Sequence, residues 1–390
     1  MPVTRRTAVL GASAGALLAS RGARADEDVK IGVIAALSGG GTAWGVGLQR
    51  GVQIALDEVN AAGGLTIGGK THKFSIIAYD DQYNAAQAKV AVDRLVQQDR
   101  VKFLMGPVGS PGALSSLTVT QPAKVIQFVD GYAPGILKND FNAAYIFRAD
   151  NSNLEFSDPV VAWVKESMPQ VRKIGMIAPN DATGQAAVPT LIAAYKKQGF
   201  DVWIDYYERG TKEFTPVLIR MMAQNIDLFD LNSAAPGDAG LMLKQVRQVG
   251  FRNTVMQAGG AGVDEIVAIA GPLANGFIKY DVFDETQPQA KPLLDAYAKK
   301  YSGPMNGMVP IYYNATQILL EAIRRADSLD TTRIRDEIEK LEGWTTKLYG
   351  PLRWGGQAAY GNKHQILLPF YMKEVTGRTT KVRATLQPQG

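Results

Sequence analysis

Three glycine-rich turns carry the residues of this sequence whose types and spacing could do chemistry. The first, Leu37–Gly45, reads LSGGGTAWG and stands between an apolar run and a long helical pattern. Glycine loops that bind phosphate have fixed forms. A dinucleotide fingerprint needs glycine at its first, third and sixth positions; counted from Gly39, the sixth is Trp44. A P-loop ends in Gly-Lys-Ser/Thr, whereas Gly45 is followed by Val46 and Gly47. Neither form fits. The turn still aims backbone N–H groups and a helix start at an open site, which suits an anion in general. Trp44, at the tip of this turn, either packs inside or lines a ligand. The second turn, LMGPVGSPGAL, sets Ser110 beside Gly109 between a strand and a helix. Its hydroxyl and the turn's N–H groups suit a carboxylate, and equally suit a plain N-cap serine. The third, DGYAPG, repeats the geometry one strand later and presents Gly131 and Tyr132.

Catalytic constellations are scarce. The two histidines, His72 and His364, are far apart, and there is no cysteine, no H-E-x-x-H and no calcium-loop pattern. Neither a metal nor a cofactor is expected. Asp80-Asp81 resembles a carboxylate dyad, but adjacent residues on an extended chain point opposite ways, so a turn and capping role is expected. Asn314-Ala315-Thr316 fits a glycosylation sequon inside a helical stretch, where it means little.

The first 25 residues read as a secretory leader. Arg5 and Arg6 precede a short apolar run, and Ala23-Arg24-Ala25 is a small-residue cleavage site. The adjacent arginines suit either the twin-arginine or the general route. Gly11–Gly15 matches the G-x-S-x-G nucleophile pattern, but it lies in the leader without a strand–turn–helix around it. Removing four leader arginines from 42 basic residues leaves 38 against 37 acidic ones, a net charge of +1. That balance gives no electrostatic case for nucleic acid. No later apolar run reaches about 18 residues, so a soluble mature protein is expected, held by its core without disulfides.

The elements that must position the three turns alternate strand and helix. KIGVIAAL, KFSIIAY, VKFLMG, KVIQFV and YIFRA read as strands, with helices over Gly47–Ala62, from Asn84 to about Gln98, and over Leu154–Met168. The alternation then restarts with KIGMIA, VWIDYY, IDLFDL and TVMQA, separated by helices near 184–198, 215–225 and 237–249. This pattern predicts an α/β protein with two doubly wound parallel-sheet lobes. Ligands of such sheets sit beyond the C-terminal strand ends, so the loops 38–45, 80–84, 106–112, 130–135, 150–153, 179–184, 232–237 and 257–262 are the places to watch.

At this point the chain resembles the type I periplasmic binding proteins of the leucine/isoleucine/valine ABC-transporter group. The opening KIGVIAALSGGGTAWGVGLQRGVQIALDEVNAAGG, the unit YDDQYNAAQAKVAVDRLV, the serine loop GPVGSPGAL and the late GPLRWGGQAAYGN are each similar to the family's segments. The resemblance covers residues 28–375. It implies two lobes joined by a three-strand hinge, one built from residues 26–147 and 281–362, the other from 148–280 and 363–390. It also implies a periplasmic, non-enzymatic monomer that closes on a small-molecule solute and hands it to a membrane permease. The family's loop aromatic falls on Trp44 and its carboxylate-binding serine on Ser110, next to Gly109. A backbone-plus-hydroxyl contact falls on Gly131 and Tyr132, and the covering aromatic of the second lobe on Thr183. The amino acid binders hold the α-ammonium with an aromatic and an acid whose nearest matches here are Ala234 and Gly259. A buried ammonium without an anionic partner costs several kcal/mol. The resemblance therefore implies an amine-free, aromatic carboxylate that stacks on Trp44, unless Asp130 or Asp181 restores an ammonium site and the solute is a branched-chain or other amino acid. A ligand-sensing receptor lobe shares the fold. An exported α/β oxidoreductase is disfavoured by the failed fingerprint.

Overall fold

The computed structural model describes residues 1, 27–138, 143–377 and 379–390. The leader read over residues 1–25 lies, apart from Met1, outside them. Among the described residues no helix is long and apolar enough to cross a membrane.

The first series of strands is β1 (Glu27–Ala35), β2 (Leu65–Ile67), β3 (Lys70–Asp80), β4 (Phe103–Val108), β5 (Ile126–Asp130) and β6 (Ile146–Arg148). The second is β7 (Lys173–Pro179), β8 (Asp201–Tyr207), β9 (Leu228–Asp230), β10 (Thr254–Gln257) and β11 (Ile278–Asp281). A short ribbon, β12 (Thr345–Thr346) and β13 (Gly350–Pro351), precedes β14 (Trp354–Gly355), β15 (Gln365–Ile366), β16 (Phe370–Thr376) and β17 (Thr379–Leu386). One sheet runs β14-β15-β6-β5-β4-β1-β3-β2 and the other β17-β16-β11-β10-β9-β7-β8. The central strands pair in parallel and are buried on both faces, as the unbroken apolar runs require: Ile31, Val33, Ile34 and Ala35 are fully buried. The chain passes between the two sheets after Arg148, after Asp281 and after Ile366.

The sheets are mixed rather than wholly parallel. β2–β3, β14–β15, β11–β16 and β16–β17 pair antiparallel at the edges. The β2–β3 case has a plain cause. Gly68 and Gly69 both take positive φ, which makes a two-residue hairpin turn possible, and a hairpin needs no crossover helix.

The helices that matter for the site follow β1, β3, β4, β6, β7, β8 and β9. They are α1 (Thr42–Ala61), α2 (Ala85–Asp93), α3 (Ser110–Thr120), α4 (Asn153–Ser167), α5 (Ala182–Lys197), α6 (Thr215–Met222) and α7 (Pro236–Gln248). Asn84 caps α2 by accepting from Ala86 and Gln87 N–H, and a capping box between Ser152 and Glu155 starts α4. α1 begins five residues before the expected Gly47, so Trp44 lies in its first turn and not at a loop tip. The glycines explain this early start. A Cβ on Gly45 would sit 2.1 Å from the Ala36 carbonyl oxygen, and one on Gly51 would sit 2.3 Å from that of Val309. They let α1 lie against the end of β1 and against the long helix Met308–Ala326; their close approach is to backbone, not to a solute.

Candidate functional site

Each sheet reverses its strand order once, between β1 and β4 in the first lobe and between β7 and β9 in the second. Loops diverge at such switch points and leave a crevice. Here the two crevices face each other. Together they form a narrow cleft lined by Trp44, Tyr83, Gly109, Asp130, Tyr132 and Thr183 among others.

The first lobe supplies the aromatic walls. Trp44 comes from α1, with its ring 6.1 Å from that of Tyr83. Tyr83 follows β3 at φ 57°, where the Asp81 carboxylate accepts from its N–H at 2.9 Å. Asp80 does the same for Leu37 N–H and the Ser38 hydroxyl, so the acidic pair holds the turns beside the cleft, as expected. Gly109 takes φ 100°, and a Cβ there would fall 2.3 Å from the Tyr83 ring. Only glycine meets both demands.

Ser110 is fully buried at the start of α3. Its hydroxyl oxygen accepts from Tyr132 N–H at 2.8 Å and from Ala133 N–H at 2.9 Å. The serine thus braces the next loop, with its hydroxyl proton left to donate. Tyr132 lies across the cleft, its ring edge-on to Phe156 at 5.6 Å. Burial and the nearby carboxylates push its phenol well above the ordinary tyrosine value.

Four hydrogen bonds join the lobes here. Trp44 Nε1 donates to Ala261 O at 2.9 Å, and Gly260 N–H donates to the Tyr132 hydroxyl at 2.7 Å. Ser110 N–H donates to Thr183 Oγ1 at 3.1 Å, and the Tyr83 and Thr183 hydroxyls lie 3.4 Å apart. The loop bearing Gly259 and Gly260 is itself held from below. Lys279, in β11, donates to the Gly259 carbonyl at 3.0 Å and to that of Gly260. Burial lowers this ammonium to about 7, against the pull of Asp281, Asp230 and Asp150.

Trp44, Gly109, Gly131, Tyr132 and Thr183 line the cleft, and Ser110 stands directly behind it. Ala234 and Gly259 do not line it; Ser233 and Gly260 take those places. The Ala234 carbonyl is turned away to accept from Gln257 Nε2. Gly259 packs behind Tyr132 and Phe156, where a Cβ would come within 2.9 Å of both. Tyr83 is a wall residue that no motif singled out. Its signal was its place in the 80–84 loop after a strand.

Two carboxylates lie near enough to matter. Asp181 is fully engaged: it caps α5 through Thr183 and Gly184 N–H and pairs with Arg209 Nε at 2.5 Å. The Arg209 guanidinium covers the Tyr83 ring at 4.3 Å. Asp130 is different. It lines the cleft and is 5% exposed, and among the described residues nothing donates a hydrogen bond to its carboxylate. Burial raises its carboxyl above the usual range, with the Arg148 guanidinium opposing.

Two switch-point crevices closing face to face on a small aromatic-walled cleft define a two-lobe solute binder. Comparison with known proteins agrees. The profile of a family described as periplasmic binding protein matches residues 28–380, and the chain belongs to that family. It is a binding protein, not an enzyme. The chain is 27% identical to the leucine-specific-binding protein of Salmonella typhimurium, covering 90% of this chain and 92% of that one. The fold matches a leucine binding protein from Thermotoga maritima with a TM-score of 0.81 at 21% identity, over 92% and 98% of the two chains. It also matches a solute binding protein of an ABC transporter from R. palustris in complex with benzoate, with a TM-score of 0.78 at 19% identity over 93% and 97%.

Proposed function

We propose that this chain is the exported solute-binding component of an ABC importer, trimmed after Ala25 and acting as a monomer that delivers its solute to a membrane permease. Its solute is a small aromatic acid without an α-amine. The observation that carries this reading is the composition of the cleft wall. Trp44, Tyr83 and Tyr132 wall the cleft, and the second lobe faces them with Ser233 and Gly260 rather than an acid. The unspent Ser110 hydroxyl proton, at the positive end of α3, suits the carboxylate. The benzoate-bound relative supports the same class.

A second reading, an amino acid, is favoured by the open carboxylate of Asp130 and by the leucine-binding relatives. A thermal-shift panel on refolded mature protein separates the two. It pairs benzoate and hydroxybenzoates with leucine, isoleucine and phenylalanine. A ligand at 100 times its Kd adds about 2.7 kcal/mol of stability, enough to move the melting midpoint by several degrees. Stabilisation by the acids alone is expected; stabilisation by leucine or isoleucine alone refutes the aromatic-acid reading.

A further inference from the structure

We propose that Asp130 selects the solute by accepting a hydrogen bond from a neutral hydroxyl group carried on the aromatic acid, placed away from its carboxylate. This rests on the aromatic-acid reading above and narrows it to hydroxylated acids.

The starting point is an imbalance in the cleft. Most of its polar groups are already paired with each other. The Thr183 hydroxyl oxygen takes Ser110 N–H, the Tyr132 hydroxyl takes Gly260 N–H, and the Ser110 hydroxyl oxygen takes two N–H groups from the following loop. The Asp130 carbonyl takes Gly109 N–H at 2.6 Å. The Asp130 carboxylate is the exception: it lines the cleft, is 95% removed from solvent, and accepts nothing from the described residues. A buried carboxylate without a donor is costly, and the Arg148 charge beside this one offsets the cost without a hydrogen bond. Arg148 spends Nη1 on the Tyr360 hydroxyl and Gln365 Oε1, and Nη2 on the Ala133 carbonyl, while its Nε and the Tyr312 hydroxyl are buried without a partner and neither donates to this carboxylate. Asp150, the nearest other acid, adds repulsion. Asp130 is thus left open to a donor that arrives with the solute.

Two kinds of donor are available to a small acid, a hydroxyl or an ammonium. An ammonium brings three N–H bonds and needs three acceptors. The Ser110 oxygen already takes two N–H groups and the Thr183 and Tyr132 oxygens one each, so an ammonium would draw on acceptors that are partly spent. A hydroxyl brings one proton, which one carboxylate oxygen satisfies. Like charges set the position of that hydroxyl. An ortho hydroxyl would press the solute's own carboxylate against Asp130, whereas a meta or para hydroxyl keeps the two anions at opposite ends of the ring.

The test is titration calorimetry of the refolded mature protein with benzoate and with 2-, 3- and 4-hydroxybenzoate, and with leucine and phenylalanine as amine-bearing controls. The 3- or 4-hydroxy isomer is expected to bind at least about tenfold tighter than benzoate, the scale of one hydrogen bond to a charged group, and the 2-hydroxy isomer to show no such gain. In Asp130→Ala the preference for the hydroxylated isomers should vanish, and its thermal melting reports whether the variant is folded. Equal binding of benzoate and all three hydroxybenzoates by the unaltered protein overturns the role of Asp130 and leaves the aromatic-acid reading standing. Binding of leucine or phenylalanine without any benzoate overturns both. If Asp130→Ala fails to fold, the ratios measured on the unaltered protein still decide the matter.

Discussion

Ser110→Ala removes one oxygen and should cost far more than one hydrogen bond. That hydroxyl accepts from both Tyr132 and Ala133 N–H, at 2.8 and 2.9 Å, in a fully buried position. Alanine strands both donors, and the hole left by one oxygen is too small for a replacing water. Each stranded buried donor costs about 1–3 kcal/mol, so the loss is about 2–6 kcal/mol. The unfolding entropy of a chain this size, at about 2.1 cal/mol/K per residue, turns that into a fall of about 3–8 °C in Tm. Ligand affinity should fall with it, because the loosened loop carries Tyr132, whose hydroxyl bonds to Gly260 across the cleft. Calorimetric melting of the protein with and without its solute reads both effects. An unchanged Tm with lost binding would mean that the hydroxyl serves the solute alone. Unchanged values for both would refute the bracing role and the placement of the site.

Other perturbations probe the closure. Trp44→Phe keeps an aromatic wall but loses the bond from Nε1 to Ala261 O, so affinity should fall about fivefold, equivalent to about 1 kcal/mol, with little change in the Tm of the solute-free protein. Lys279, lowered to about 7 by burial, gives a signed pH effect. Between pH 7 and the ordinary lysine value the unfolded chain holds one more proton than the folded one at this residue. Stability relative to Lys279→Met should therefore rise with pH in that window by about 1.4 kcal/mol per unit, measured by urea unfolding, and parallel pH profiles would refute the lowering of Lys279 by burial. Asp181→Ala should remove both the α5 cap and the Arg209 pair, costing about 1–3 kcal/mol; a fall below 0.5 kcal/mol in urea would show that Arg209 finds another partner.

The strands and helices were legible because each rests on local chemistry: unbroken apolar runs such as Lys30–Leu37, the Asn84 cap, the Gly68-Gly69 turn. The loops that carry the site were legible for the same reason, since doubly wound sheets confine ligands to one strand end. What those loops hold was less so. Trp44, Ser110 and Tyr132 stood out by type, but Tyr83 owes its place to a positive φ and to the space that Gly109 leaves for its ring. The glycines of Leu37–Gly45 and the helix after it looked like a cradle for a solute. Two of them, Gly45 and Gly51, instead admit the backbone of Ala36 and Val309.

The sequence by itself determined the two α/β lobes, the strand ends at which a solute could sit and the absence of catalytic groupings, because hydrophobic periodicity and residue chemistry act locally. Tertiary structure alone decided which polar groups satisfy one another across the cleft. It spent the Ser110 hydroxyl oxygen on the next loop and Asp181 on Arg209, and it left Asp130 without a donor. Such pairing depends on distances between residues 73 positions apart, as for Ser110 and Thr183, or 128 apart, as for Tyr132 and Gly260, and these distances exist only once both lobes have folded and met.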